Sequence, residues 1–413
     1  MKVVIVAENA SAKFGGEAIL PLHYFRLLRK RGVEAWLVVH ARTRGELETV
    51  LPNDLDRIHF IPDTWFHRGI EKVAKPFPNN IKHFGFRIWG RLLTAILARR
   101  IVRRLVKENQ IDVVHQPTPV SPKEPSLMHK LGAPVVIGPM NGGITYPPGF
   151  GSIEKPWVRA FISVGRVFSH VINALMPGKT KAALLLVANP RTKGALPNGV
   201  HGKVEQIVEN GVDLSLWKFA NRPARDGEPV RFIFTGRLVD WKGVQFLIDA
   251  FATVAAEQNA TLEIVGDGPM RSPLQAQVTA KNLNDRIIFH GWKSQAECAG
   301  LLASADVFVL PSLYECGGAV VLEAMAVGLP VIATNWGGPA DYLDASCGIL
   351  VDPKSKPQFV EDLRAAMLRL AKDPALRQQM GEAGRTKAAA EFDWERKIDR
   401  ILAVYEEASK STL

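Results

Sequence analysis

Short apolar runs rich in valine, isoleucine and leucine recur along the chain, with longer stretches of helical periodicity between them. KVVIVAE (2–8) predicts a buried strand, EAILPLHYFRLLRKRG (17–32) a helix closed by Gly32, and EAWLVVH (34–40) the next strand. DVVHQ (112–116) and APVVIGP (133–139) continue the series. Alternation of this kind implies parallel βαβ units, whose ligands gather at the carboxyl ends of the strands. After ENGVD (209–213) and the polar stretch NRPARDGEP (221–229), it begins again with VRFIFTG (230–236). TLEIVGDG (261–268), RIIFHG (286–291), DVFVLP (306–311) and LPVIAT (329–334) follow, and beyond about residue 355 the pattern is helical. The expected class is α/β with two doubly wound sheets. The domains predicted are 1–210, 211–390 and a final amphipathic helix within 391–413, read from EFDWERKIDRILAVYEEAS (391–409).

A length of 413 residues agrees with two lobes. The apolar fraction of 47% and charged fraction of 23% exclude a disordered chain. Cys298, Cys316 and Cys347 form no CxxC pair, which argues against a disulfide framework or a zinc site and for a reducing cytosol. Glu8 interrupts the first apolar run before a signal-peptide core can develop, and no run suited to crossing a membrane follows. The net charge of +11 is concentrated: residues 65–107 hold eleven Lys or Arg against the single acid Glu71, a local excess of +10. An anionic partner is expected there, whether a membrane, a nucleic acid or a phosphorylated substrate.

Two stretches of the second lobe suggest chemistry. RLVDWKG (237–243) follows a strand and precedes a helix, so Arg237 and Lys242 are placed to bind an anion, the bland alternative being two solvated loop cations. In YECGGAVVLEA (314–324), Glu315 falls in a loop, Gly317 and Gly318 at a helix start, and Glu323 about two turns into an apolar helix. The glycines would let a phosphate or sugar approach backbone N–H groups, and the deeper carboxylate could accept ribose hydroxyls. A buried salt bridge at Glu323 and a tight turn at the glycines fit the spacing as well.

The set RLVDWKG, IVGDGP, FHGW and ECGGAVVLEAMAVGLPVIAT resembles the retaining GT-B glycosyltransferases of family 4, whose signature is two glutamates separated by seven residues. NGVD before the boundary and the final WERK helix resemble that family too. The resemblance implies two Rossmann-like domains facing across a cleft, with the last helix crossing back to the first. It implies that Arg237 and Lys242 bind the diphosphate of a UDP- or GDP-linked sugar, that Glu323 binds the ribose, and that Glu315 lies near the donor sugar beside the backbone of Gly317 and Gly318. Gly291 and Trp292 would lie near the base, while Gly266 and Gly268 read as turn glycines. Many relatives have Phe-Gly after the first glutamate, where this chain has Cys316-Gly317-Gly318.

In the first lobe the family's glycine-rich loop corresponds to Gly15 and Gly16 in ENASAKFGGE, and its sugar-facing histidine to His115; a lone strand-end histidine is otherwise usually structural. The loop lacks GxGxxG, which argues against a nicotinamide dehydrogenase. His115, Glu315, Arg237 and Lys242 are thus the expected catalytic set, with the cations stabilising the leaving diphosphate. No cofactor or metal is expected, and the chain has no DxD motif. Asn141, Gly142 and Gly143, in a strand-end loop, are the acceptor-side candidates. FRIWGRLLTAILARRIVRRLVK (86–107) spaces Arg87, Arg91, Arg99, Arg103 and Lys107 at multiples of four beside Phe86, Trp89, Leu93 and Leu97. That pattern predicts an amphipathic helix, either a solvated face or a dock on the anionic cytoplasmic leaflet of the inner membrane. The activity expected is transfer of a sugar with retention to a glycan or lipid-linked acceptor. The rival readings are a soluble sucrose- or glycogen-type synthase, a nucleotide-sugar epimerase and a basic nucleic-acid binder.

Overall fold

The computed structural model describes residues 1–14, 16–74, 87–153, 172–220 and 227–410. By its contacts the chain divides into two compact units. The first holds residues 1–143, 161–209 and 397–413, and the second 144–160 and 210–396. Residues 144–160, which the sequence reading put in the first domain, therefore group with the second.

The first unit is built on a seven-stranded parallel sheet of order β3-β2-β1-β4-β5-β6-β7. Its strands are β1 (Lys2–Val6), β2 (Glu34–His40), β3 (Ile58–Ile61), β4 (Val113–Gln116), β5 (Val135–Met140), β6 (Leu184–Val187) and β7 (Lys203–Gln206). Helices α1 (Gly16–Lys30), α2 (Arg44–Val50), α3 (Trp65–Ala74) and α4 (Arg87–Asn109) belong to this unit. Apolar residues of α4, among them Ala98, Val102 and Leu105, close over Val4, Trp36 and Val38. Central strands such as β1 are covered on both faces, which is why they read as continuous apolar runs. The final helix, Trp394–Lys410, follows a short π-helical turn at Ala388–Phe392. From Lys397 it packs into the first unit, burying Ile398, Ile401, Val404, Tyr405 and Ala408 at helical spacing.

The second unit is a six-stranded parallel sheet of order β10-β9-β8-β11-β12-β13. Its strands are β8 (Val230–Thr235), β9 (Ala260–Val265), β10 (Ile287–Gly291), β11 (Val307–Leu310), β12 (Val331–Thr334) and β13 (Gly348–Val351). Helix α5 (Val244–Glu257) follows β8, and α6 (Ala319–Ala326) follows β11. Phe150 explains the placing of residues 144–160: its buried ring meets Phe246 and Phe359 at centroid distances of 5.5 and 5.6 Å. In each sheet the strand order reverses at one point, between β1 and β4 and between β8 and β11, and ligands of doubly wound sheets bind at such points. Among the described residues no helix is long and apolar enough to cross a membrane.

Candidate functional site

At the reversal point of the second sheet, the loop after β8 lies against the end of β11. Gly243 makes this possible: its φ is +71°, and a Cβ there would sit 2.1 Å from the carbonyl oxygen of Pro311. The close approach carries Lys242 to Glu315, whose carboxylate accepts a hydrogen bond from Lys242 Nζ. Ser312 Oγ donates to the same carboxylate oxygen at 3.4 Å. Lys242 and Glu315 are mostly buried, with 14% and 17% of their side chains exposed. Arg237, five residues before Lys242, is exposed, and its guanidinium makes no hydrogen bond or ion pair among the described residues.

Gly318 caps α6 at φ +84°, and a Cβ there would lie 3.1 Å from Glu315 Cγ. The glycine thus serves both the left-handed cap and the close approach of the acid. Gly317 is buried beneath the next loop, where Gly338 N donates to the Glu315 carbonyl at 2.8 Å. Glu323 is the fifth residue of α6, little more than one turn in rather than the two expected. Among the described residues its carboxylate has no hydrogen bond and no cation. Burial alone lifts its pKa from the ordinary 4.5 to about 7. The salt bridge that the spacing also allowed at Glu323 is not formed among the described residues.

On the far side of the reversal point, β10 ends in Gly291 at φ +70°, followed by Trp292 with 73% of its surface exposed. Gly266 is a packing glycine, since a Cβ on it would stand 1.9 Å from the Gly236 carbonyl oxygen. The segment from 144 to 146 covers the ends of β11 and β12: Trp336 Nε1 donates to the Thr145 carbonyl at 2.7 Å, and the Tyr146 and Tyr314 rings lie 5.1 Å apart.

The first-unit candidates are placed differently. His115 pairs in register with Ile5 at the heart of the sheet and is wholly buried. Its Nε2 bonds to the Gly138 carbonyl at 2.6 Å and its Nδ1 to the Tyr405 hydroxyl at 2.7 Å, with Tyr24 and Tyr405 ringing it edge-on. Both nitrogens are therefore used inside the unit, and burial lowers its pKa to about 4. The sugar-facing role expected of His115 gives way to a structural one, because the final helix supplies the tyrosine that occupies it. Asn141 is likewise buried: its Nδ2 donates to Glu209 at 2.8 Å and its Oδ1 accepts from Asn189 at 3.3 Å. Gly142 is pressed on Pro122, where a Cβ would come within 2.6 Å, and Gly143 turns at φ +73° against Arg191 and Ala195. Asn141 and Gly142 are thus buried and packed within the first unit. Gly16 opens α1 with free space around it, and Gly15 lies outside the described residues.

The cationic row on α4 is also redistributed. Arg99 donates to the backbone carbonyls of Leu127 and His129, and Arg91 pairs with Glu124, so neither faces outward alone. Leu93 and Leu97 turn partly inward. The outward cations are Arg100, Arg103, Arg104 and Lys107. Trp65, Phe66 and Val73 on α3 and Ile88 and Trp89 on α4 are exposed, with Trp65 at 77%. Phe86 and residues 75–85 lie outside the described residues, as does the side chain of Arg87.

Among the described residues one group could share a metal: His40, Asp63 and His67, with atoms within 4.8 Å of one another. His40 Nδ1 accepts from the backbone and Nε of Arg42, so its proton sits on Nε2. His67 Nε2 bonds Thr94 Oγ1, which itself donates to Gly90 O. The two imidazoles do not present the pair of lone pairs that a metal takes.

Residues 217–387 match the family model of group 1 glycosyl transferases. The matched stretch lies within the second unit, which is thus similar to that family. Curated relatives include a Mycobacterium tuberculosis glycogen synthase, 33% identical over 201 residues that make up 48% of this chain and 47% of the relative. The alpha-D-kanosaminyltransferase of Streptomyces kanamyceticus is 31% identical over 49% of the chain and 52% of its own length. The chain spans about half the length of the curated relatives it matches. Among solved structures, Anabaena HepE in complex with UDP superposes over all of both chains with a TM-score of 0.66 at 17% identity. The lipopolysaccharide outer core galactosyltransferase WaaB does so with 0.65 at 17%, again over all of both chains. The fold is accordingly GT-B.

The sequence reading had no signal for Ser312, Gly243 or the 144–146 cover. Their roles come from where β8, β11 and β12 end in space.

Proposed function

We propose that the protein is a retaining glycosyltransferase that moves a sugar from a UDP- or GDP-linked donor to a glycan or lipid-linked acceptor. One observation carries this reading: at the reversal point of the second sheet the loop after β8 holds Arg237, without a partner among the described residues, and Lys242, held by Glu315, while the helix after the adjoining β11 holds Glu323, uncompensated among the described residues. A nucleoside diphosphate satisfies all three. Arg237 and Lys242 take the diphosphate and stabilise the charge that grows on it as the sugar leaves. Glu323 accepts ribose hydroxyls, Glu315 lies beside the sugar, the α6 start offers backbone N–H groups, and Trp292 lies by the base. The leaving phosphate takes the proton of the acceptor hydroxyl, which enters on the face it vacates, and no metal is used. The UDP bound to HepE and the naming of WaaB as a galactosyltransferase support the donor class.

Thermal melts with UDP, GDP and ADP test the donor site. One nucleotide should stabilise the wild type, and Arg237→Ala should lose the shift; an unchanged shift in folded Arg237→Ala refutes the assignment. The anomeric configuration of the product, read by NMR, tests retention.

The same reading docks the protein on the anionic cytoplasmic leaflet of the inner membrane through α3 and the outward face of α4. Exposed Trp65, Phe66 and Trp89 would enter the headgroups, and Arg100, Arg103, Arg104 and Lys107 would add about 1 kcal/mol each. A soluble synthase is the second reading, favoured by the likeness to glycogen synthase. Sedimentation with vesicles containing anionic lipid at low salt separates the two: co-sedimentation supports docking, and protein left in the supernatant supports the synthase.

A further inference from the structure

We infer that the acceptor end is a neutral, polyhydroxylated sugar unit, read by an alternating chain of charges at the reversal point of the first sheet: Arg42, Glu8, Arg91 and Glu124. This rests on the transfer reading above and names its acceptor class. Glu8 follows β1, Arg42 follows β2, and Glu124 lies in the loop after β4, so three strands deliver their carboxyl-edge loops to one place. Arg42 Nη2 lies 3.5 Å from Glu8 Oε1, Glu8 Oε2 lies 3.5 Å from Arg91 Nε, and Arg91 Nη1 lies 2.8 Å from Glu124 Oε1. All four side chains remain partly exposed.

The loops that carry them are pinned from behind. Glu46 of α2 accepts from Ser11 Oγ at 2.5 Å and from Ala12 N at 2.8 Å, which ties down the loop after β1. Lys179, fully buried, donates to the Ser121 carbonyl at 2.5 Å, and Asn173 Nδ2 donates to the Lys123 carbonyl at 3.0 Å, which ties down the loop after β4. The loops that carry the charged tips are thus braced.

The pattern of charge selects the ligand. A hydroxyl both donates and accepts, so neighbouring hydroxyls of a pyranose can give protons to Glu8 and Glu124 while taking them from the forks of Arg42 and Arg91. A phosphate only accepts at the charges it meets, and here it would meet the carboxylates of Glu8 and Glu124 beside the two arginines. Acids that pair with the arginines in this way leave an anion no unopposed guanidinium, whereas they suit a neutral diol. In the second unit, by contrast, Arg237 has no acid partner among the described residues and Lys242 pairs with Glu315. The position also accounts for the burial of Asn141 and Gly142: the loop after β5 is used for packing, and the open polar edge lies at β1, β2 and β4.

Arg91→Gln and Glu124→Gln, both at partly exposed positions, test the inference, with thermal melts confirming the fold. Release of nucleotide diphosphate from the donor is followed with the methyl glycosides of glucose, galactose and mannose and with the 6-phosphates of the same sugars. At least one neutral glycoside should accelerate release in the wild type, the phosphates should not, and each variant should raise the KM for that glycoside by about tenfold or more. Stabilisation by the free nucleotide diphosphate should be the same in both variants as in the wild type. Acceleration by the phosphates alone, by none of the sugars, or with an unchanged KM in both folded variants overturns the inference. If no nucleotide diphosphate stabilises the wild type, the transfer reading itself fails and this one with it; if stabilisation is present, only the acceptor assignment falls.

Discussion

Replacing Glu323 by glutamine should make the second unit more stable at high pH while weakening the donor site. The carboxyl lies in surroundings that raise its pKa from 4.5 to about 7, and no cation among the described residues offsets its charge. At about 1.4 kcal/mol per pH unit, ionised Glu323 costs the fold roughly 3 kcal/mol, an upper figure because the side chain keeps some contact with solvent. The sign follows from proton binding: between pH 4.5 and 7 the folded state holds the proton more tightly than the unfolded chain. Stability from this group is therefore complete below pH 4.5 and is lost as pH rises through 7. A neutral isostere escapes the loss. At roughly 2–4 °C per kcal/mol for a unit of this size, Glu323→Gln should melt about 5–10 °C above the wild type at pH 8.5, and the two should coincide at pH 4.5. Differential scanning calorimetry of both proteins at the two pH values measures this directly. The nucleotide that stabilises the wild type should then narrow the gap at pH 8.5, because ribose hydroxyls give the carboxylate its missing donors. A melting difference independent of pH, or a variant less stable than the wild type at pH 8.5, would refute the claim that Glu323 is buried without compensation.

Two further substitutions test the supporting structure. Tyr405→Phe leaves His115 Nδ1 buried without its donor, so it should lower stability by about 1–3 kcal/mol in a thermal melt while nucleotide binding by the second unit is unchanged. A loss of nucleotide affinity with no loss of stability would return His115 to the site. Gly243→Ala forces a Cβ to within 2.1 Å of Pro311 O at a left-handed φ, and the loop must move away from β11. Both stability and nucleotide affinity should fall, by calorimetry and titration, because Lys242 is carried by that loop; unchanged affinity would separate Lys242 from the donor.

Much of the fold was legible along the chain because parallel strands covered on both faces must be apolar throughout. β1, β5, β11 and β12 read so, and β2, β4, β8 and β9 nearly so, whereas β10, at the sheet's edge with Ile288 exposed, was legible from its apolar run alone. β3, β6, β7 and β13 were missed. KVEQ of β7 lies on the sheet's edge with polar side chains and no two-sided burial, and IHFI of β3, also at an edge, is only half-buried in its middle.

In the candidate site, spacing along the chain brings Arg237 and Lys242 onto one loop and Glu315 and Glu323 about one helix start, and the family resemblance gives them roles. Their order and type are set by local chemistry, the need for cations at a strand end and glycines at a cap. What lies between distant segments could be decided only by tertiary structure. His115 looks the same in sequence whether it faces a ligand or a tyrosine nearly three hundred residues later, and the final helix decides it. Arg91 and Arg99 sit on one apparent cationic stripe, yet β4 loop residues are the partners of both. Glu8, Arg42 and Glu124 carry no motif at all; they meet because three parallel strands end at the same edge. Periodicity records which face of an element is buried, whereas the partner of each polar group depends on which other element packs there.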